Sequence, residues 1–117
     1  MTAMTLYHNP RCSKSRSALQ LLEDRGLSPT IVRYLDTPLN TAQLQTLLDK
    51  LGISPRQLLR TGEDEYKTLG LSDPQLTDAQ LIDAMVSQPK LIERPILVVG
   101  DKAVVGRPPE TILEILP

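Results

Sequence analysis

MTLYHNPRCSKSRSALQLLEDRGLSPTIVRYL, residues Met4 to Leu35, changes its hydrophobic period twice, and those changes decide the fold. Met4-Thr5-Leu6-Tyr7-His8 alternates and reads as a short strand, which Asn9-Pro10 breaks. From Ser13 or Lys14 to Arg25 the apolar residues Ala18, Leu19, Leu21 and Leu22 recur at helical spacing, and Gly26 stands where a C-terminal cap is expected. Thr30 to Leu35 begins β-branched and reads as a second strand. Strand, helix and strand in so short a length form a βαβ unit, so the two strands are expected to run parallel.

Outward from this unit the chain becomes helical. Asn40-Thr41-Ala42-Gln43 is a capping-box pattern opening a helix to about Leu51, closed by Gly52. Ser54-Pro55-Arg56-Gln57 repeats the pattern with proline at the first helical position. A helical stretch is expected near Asp64 to Leu69, and Thr77-Asp78-Ala79-Gln80 opens another that ends before Pro89. These four short helices, at about 40–88, read as an insertion between two halves of a sheet. Ile96 to Val99 is an apolar run with the signature of a buried strand. Gly100-Asp101-Lys102 is a turn, and Ala103 to Val105 returns as the hairpin partner. Pro108-Pro109-Glu110 opens a final helix with Ile112, Leu113 and Leu116 on one face. The order βαβ, helices, ββα describes one α/β domain with a mixed four-stranded sheet.

The composition narrows the function classes. The 117 residues suit a single domain with one core. Aromatics are 3% with neither Trp nor Phe, so aliphatic side chains build the core, and a nucleic-acid binder that stacks bases on aromatics is disfavoured. A net charge of -1 supplies no global field for nucleic acid or an anionic membrane, so any anion site depends on a few placed arginines. With one cysteine no internal disulfide forms, which suits a reducing cytoplasm. Met1 to Leu6 lacks the basic and apolar regions of a signal peptide, and no run approaches a membrane span.

Cys12 lies between the first strand and the first helix. There the amides of Ser13 to Ser15 have no intrahelical partner and the helix dipole is positive, so a thiolate and an oxyanion are both favoured. Arg11, Lys14 and Arg16 add positive charge. A free cysteine is commonly a small buried hydrophobe, but Asn9 to Arg16 is a polar loop rather than a core segment. Cys12-Ser13-Lys14-Ser15 has no second thiol for a dithiol relay. A phosphatase loop needs an arginine six residues after the cysteine, where Ala18 stands. One Cys and one His make a metal site improbable. What remains is a one-thiol redox enzyme that borrows its reducing equivalents.

Tyr7-His8-Asn9-Pro10-Arg11-Cys12-Ser13-Lys14-Ser15-Arg16 resembles the active-site segment of the glutaredoxin-dependent arsenate reductase family. The resemblance continues in Arg60 to Tyr66, Ile92 to Ile96 and Gly106 to Glu110, in the same order along the chain. It implies a thioredoxin-like fold over residues 1–117 with the helical insertion inside it. It also implies that Cys12 attacks arsenate, that Arg60, Arg94 and Arg107 surround the oxyanion, and that glutathione and glutaredoxin complete the reduction. No bound cofactor is implied, and glutathione enters as co-substrate. Ser15 is expected to donate a hydrogen bond to the Cys12 sulfur, His8 to help keep that sulfur ionised, and Pro95 to match the cis-proline facing the site. Similar chains include monothiol reductases of other substrates and redox regulators that bind RNA polymerase. The regulators commonly carry Cys-x-x-Cys, whose second thiol Ser15 replaces here.

Overall fold

β1 (Met4–Tyr7) and β2 (Thr30–Val32) flank α1 (Ser13–Asp24) and pair in parallel, with Leu6 opposite Ile31. β3 (Ile96–Val99) runs antiparallel to β1, and β4 (Lys102–Val105) antiparallel to β3. The sheet order β2-β1-β3-β4 is the mixed four-stranded sheet of a thioredoxin-like fold. The computed structural model describes residues 3–116; Met1 and Thr2, part of the segment read for a signal, and Pro117 lie outside them. The described chain divides into a sheet unit, 3–37 with 94–116, and a helical unit, 38–93.

In the sheet unit one core forms on the face covered by α1. Leu6 of β1, Ala18 and Leu22 of α1, Leu97 and Val99 of β3, and Ile112 pack together, fully or nearly buried. Ala18 and Leu22 are one turn apart on the helix, and Leu97 and Val99 share one face of β3, so the two periods meet along a common seam. All four residues of β3 are buried, as a continuous apolar run in a central strand requires. α1 ends as its glycine foretold: Gly26 takes the left-handed φ of 74° and the Leu27 amide returns to the Leu22 carbonyl at 3.0 Å.

Two elements differ from the expectation. β2 stops at Val32, because the Asp36 and Thr37 amides both turn back to the Arg33 carbonyl at 2.9 Å. The last helix, Pro109–Ile115, is a 3-10 helix rather than an α-helix. Pro108 precedes it and Pro109 opens it, and the Thr111 amide returns to the Pro108 carbonyl at 3.0 Å, an i→i+3 bond that starts the tighter winding. The three-residue repeat sets Ile112 and Ile115 on one side, both packing with the core.

The helical unit holds α2 (Thr41–Leu51), α3 (Pro55–Leu58), α4 (Asp64–Thr68) and α5 (Asp78–Ser87), then a 3-10 turn, Pro89–Leu91, that follows the expected stop. All three capping boxes are present, at Asn40 with Gln43, Ser54 with Gln57, and Thr77 with Gln80. Leu44, Leu47, Leu48, Leu81, Ile82 and Met85 are buried in this unit. A single antiparallel bridge joins Leu59 to Ile92, with the Arg60 amide donating to the Leu91 carbonyl at 2.7 Å and the Glu93 amide to the Leu58 carbonyl at 3.0 Å. No helix among the described residues is long and apolar enough to cross a membrane.

Strand register brings the arginines together. Tyr7, Ile96 and Val105 stand in one row across β1, β3 and β4. Past that row, Arg94 lies two residues before β3 and Arg107 two residues after β4, at the same end of the pair. The Gly106 amide donates to the Pro95 carbonyl at 2.7 Å, and a Cβ on Gly106 would come within 2.8 Å of Pro95 Cγ and 3.0 Å of Ile112 Cγ2. Only glycine allows this approach. Gly106→Ala is expected to destabilise the protein by about 1–3 kcal/mol through overpacking. Denaturant unfolding checks this, and an unchanged midpoint would contradict it.

Candidate active site

Cys12 caps the N-terminus of α1 with an extended backbone, and its side chain stays out of the cap. Asn9 shapes the loop before it. Its carbonyl accepts from the Cys12 amide and its Oδ1 from the Arg11 amide, each at 3.0 Å. Asn9 is buried, a role for which the Asn-Pro pair in the sequence signals only a turn.

The sulfur is half-buried and meets donors from two parts of the chain. Partial burial is the largest influence on the thiol and opposes its ionisation. Against it act, in order, the Ser15 amide, a hydrogen bond from the Arg94 side chain, the Lys14 amide and the charge of Arg94. Together these hold the thiol below its ordinary value. Arg107 Nη2 lies 3.9 Å from the sulfur, while its Nε donates to the Arg94 carbonyl at 2.9 Å. Arg107 is thereby locked to the backbone that carries Arg94. The peptide bonds Arg94-Pro95 and Arg107-Pro108 are both cis; the first matches the expected cis-proline, and nothing in the sequence reading pointed to the second. Alkylation of Cys12 by iodoacetamide should follow the thiolate fraction, with a midpoint below the ordinary thiol value of about 8.5. A midpoint at or above that value would contradict the assignment.

The basic residues next to Cys12 in sequence do not supply this field. Arg11 and Lys14 are exposed, and Arg16 Nη1 donates to the Pro10 carbonyl at 2.9 Å. Charge at the sulfur comes instead from Arg94, whose position depends on sheet pairing.

The expected roles of Ser15 and His8 are corrected. The Ser15 hydroxyl is engaged elsewhere: it bonds His8 Nδ1 at 2.6 Å and accepts the Asn9 amide at 3.0 Å. Ser15 serves Cys12 through its amide, because a helix N-terminus points N–H groups, not side chains, at the capping position. His8 is buried, and burial first, then the charges of Arg33 and Arg16, lower its pKa. A neutral imidazole lends no charge to a thiolate, so His8 acts by holding Ser15 and the start of the helix. Ser15→Ala leaves His8 Nδ1 and the Asn9 amide buried without their partner. It is expected to cost roughly 2–4 kcal/mol of stability while leaving the thiol ionised. Urea unfolding beside the alkylation profile tests both parts, and wild-type stability in the variant would refute the network.

Arg60 belongs to the helical unit. Its Nε lies 3.3 Å from Glu63 and its Nη1 3.4 Å from Glu93, ion pairs without hydrogen-bond alignment.

Residues 7–115 match the model of the ArsC family. The chain belongs to the ArsC family. A Neisseria meningitidis protein named arsenate reductase is 47% identical over 117 residues, covering 99% of this chain and all of its own. The uncharacterized protein YfgD of Escherichia coli K12 is 54% identical over 112 residues, 95% of this chain and 94% of its own. Among solved structures, an arsenate reductase from Vibrio cholerae superposes with a TM-score of 0.96 at 47% identity, covering 98% of both chains. The ArsC match includes the Cys12 loop, the Arg94-Pro95 segment and the Gly106-Arg107 turn.

Proposed function

We propose that this ArsC-family chain is an arsenate reductase of the glutathione- and glutaredoxin-dependent type, working in the cytoplasm. The observation that carries the reading is the sulfur of Cys12 at a helix N-terminus, its ionisation favoured by the Ser15 and Lys14 amides and by Arg94, with Arg107 Nη2 3.9 Å away. Such a donor set favours a thiolate and a tetrahedral oxyanion beside it. Cys12 attacks arsenic as the thiolate, forming an S–As bond while one arsenate hydroxyl takes a proton from solvent and leaves as water. Arg94 and Arg107 neutralise the remaining oxygens; planar, permanently charged guanidiniums suit that geometry. Arg60 is proposed as the third oxyanion ligand on the strength of the family resemblance.

Glutathione then displaces a second hydroxyl as water, giving arsenic bonded to two sulfurs. A glutaredoxin thiolate attacks the glutathione sulfur, and a mixed disulfide forms. The electron pair of the broken S–As bond stays on arsenic, which becomes As(III). Water hydrolyses the last S–As bond, releasing arsenite and the free Cys12 thiol. No group beyond the substrate, glutathione and glutaredoxin is required, and neither nucleic acid nor membrane takes part. The test is arsenate-dependent NADPH oxidation with purified protein, glutathione, glutaredoxin and glutathione reductase. A rate above the enzyme-free control supports the reading, and no such rate rejects it.

A further inference from the structure

Beside the nucleophile loop the sheet unit contains a hollow of about 310 Å3 lined by His8, Asn9, Pro10, Arg11, Arg33, Leu35 and Asp36. A second hollow, about 530 Å3, shares His8, Arg33 and Asp36 with it and extends along Leu19, Ile31 and Thr37. Volumes of this order accept small-molecule ligands (about 300–1,000 Å3). Neither hollow is lined by Arg94 or Arg107, so a molecule held there leaves the oxyanion side of the sulfur open. The wall nearest the chemistry is Pro10-Arg11, which leads directly into Cys12.

The charges of this hollow are unused by the fold. Among the described residues the side chains of Arg11, Arg33 and Asp36 form no hydrogen bond or ion pair with another residue, and all three are exposed. Two guanidiniums and one carboxylate around a half-enclosed space recognise a ligand carrying both signs. A simple oxyanion leaves Asp36 opposed. A small peptide with free carboxylates and a free ammonium satisfies all three.

We propose that this hollow is the binding site of the peptide thiol that reduces the Cys12 adduct, its carboxylates meeting Arg33 and Arg11 and its ammonium meeting Asp36. The inference rests on the arsenate-reductase reading and adds the residues that select the co-substrate. The thiol of the bound peptide reaches the arsenic held on Cys12 across the Pro10-Arg11 edge. It forms the second S–As bond as a hydroxyl leaves with the thiol proton as water. Arg33 is absent from the groups that set the ionisation of Cys12, so its removal separates co-substrate binding from the nucleophile.

Two measurements test this. In the coupled assay, Arg33→Gln and Asp36→Asn should each raise the KM for glutathione roughly tenfold, the loss of one charge-assisted contact. The KM for arsenate and the alkylation midpoint of Cys12 should hold. An unchanged glutathione KM in both variants, with wild-type turnover intact, overturns the proposal. The second measurement needs no turnover: NMR titration of the full chain with S-methylglutathione, which cannot react. Amide shifts at 8–11 and 33–36 that Arg33→Gln abolishes support the site even where arsenate turnover is absent. Shifts confined to the Arg94 and Arg107 segments, or no shifts, overturn it.

Discussion

Cys12→Ser is expected to lower arsenate-dependent turnover by at least roughly a thousandfold, to the enzyme-free rate. The chain has one cysteine, so no other side chain can take over the attack. The amides of Ser15 and Lys14 and the guanidinium of Arg94 stabilise an ionised sulfur, whereas a serine hydroxyl stays protonated near neutral pH under the same influence. The side chain makes no cap hydrogen bond, so the helix survives the exchange. The variant also reports the linkage between ionisation and folding. A thiol whose folded pKa is depressed adds stability that is complete above its unfolded value and disappears as pH falls through the folded one. Wild type should therefore gain on Cys12→Ser in urea unfolding as pH rises through that window, and the two should converge below it. Substantial turnover by the variant would remove Cys12 from the mechanism.

Arg94→Ala is expected to lower kcat/KM for arsenate about 100- to 1,000-fold, the range for removing one preorganised donor from a developing charge. Two effects of Arg94 act together. It hydrogen-bonds the sulfur and places a positive charge beside it, so its loss raises the thiol pKa. In the proposed reaction it also supplies one of the guanidiniums for the oxyanion, while its carbonyl, which accepts from Arg107 Nε, survives the substitution. The first effect depends on pH: the acid limb of the rate profile moves to higher pH, and raising the pH recovers part of the deficit. The second does not, because the oxyanion still lacks a guanidinium. Arg94→Lys should restore some thiolate but little kcat/KM, since an ammonium lacks the planar fork. An unshifted alkylation midpoint together with wild-type kcat/KM would dismiss Arg94 from the site.

The positions of Cys12, the βαβ unit and the capping boxes were legible because each depends on neighbours in sequence. A polar loop between an alternating segment and a helical one places a cysteine at a helix start whatever surrounds it. Asn40, Ser54 and Thr77 cap the helices that their own downstream glutamines mark. Gly26 ends α1 because only its φ of 74° lets the chain turn there. By contrast, Ser15 and His8 were misread. Their identities were plain, but a side chain's partner depends on where a second segment lies, and Ser15 bonds across seven residues to His8 instead of to the sulfur. The 3-10 form of the last helix was missed because the apolar residues from Ile112 onward suit either helix over so short a span.

The sequence by itself determined the place of Cys12 at a helix start, the strand and helix order, and the local caps, since backbone amides at a helix start follow from the chain alone. Tertiary structure decided which cations face the sulfur. The side chains of Arg11, Lys14 and Arg16 are close to Cys12 in sequence yet are not among the influences on its ionisation, whereas that of Arg94 acts from a distant segment and Arg107 comes within 3.9 Å. The reason is strand pairing: β3 begins two residues after Arg94 and β4 ends two residues before Arg107, so the antiparallel pair carries both arginines at one end, where Arg107 Nε meets the Arg94 carbonyl. Hydrogen bonds between strands far apart in the chain set that proximity, and no local pattern encodes it.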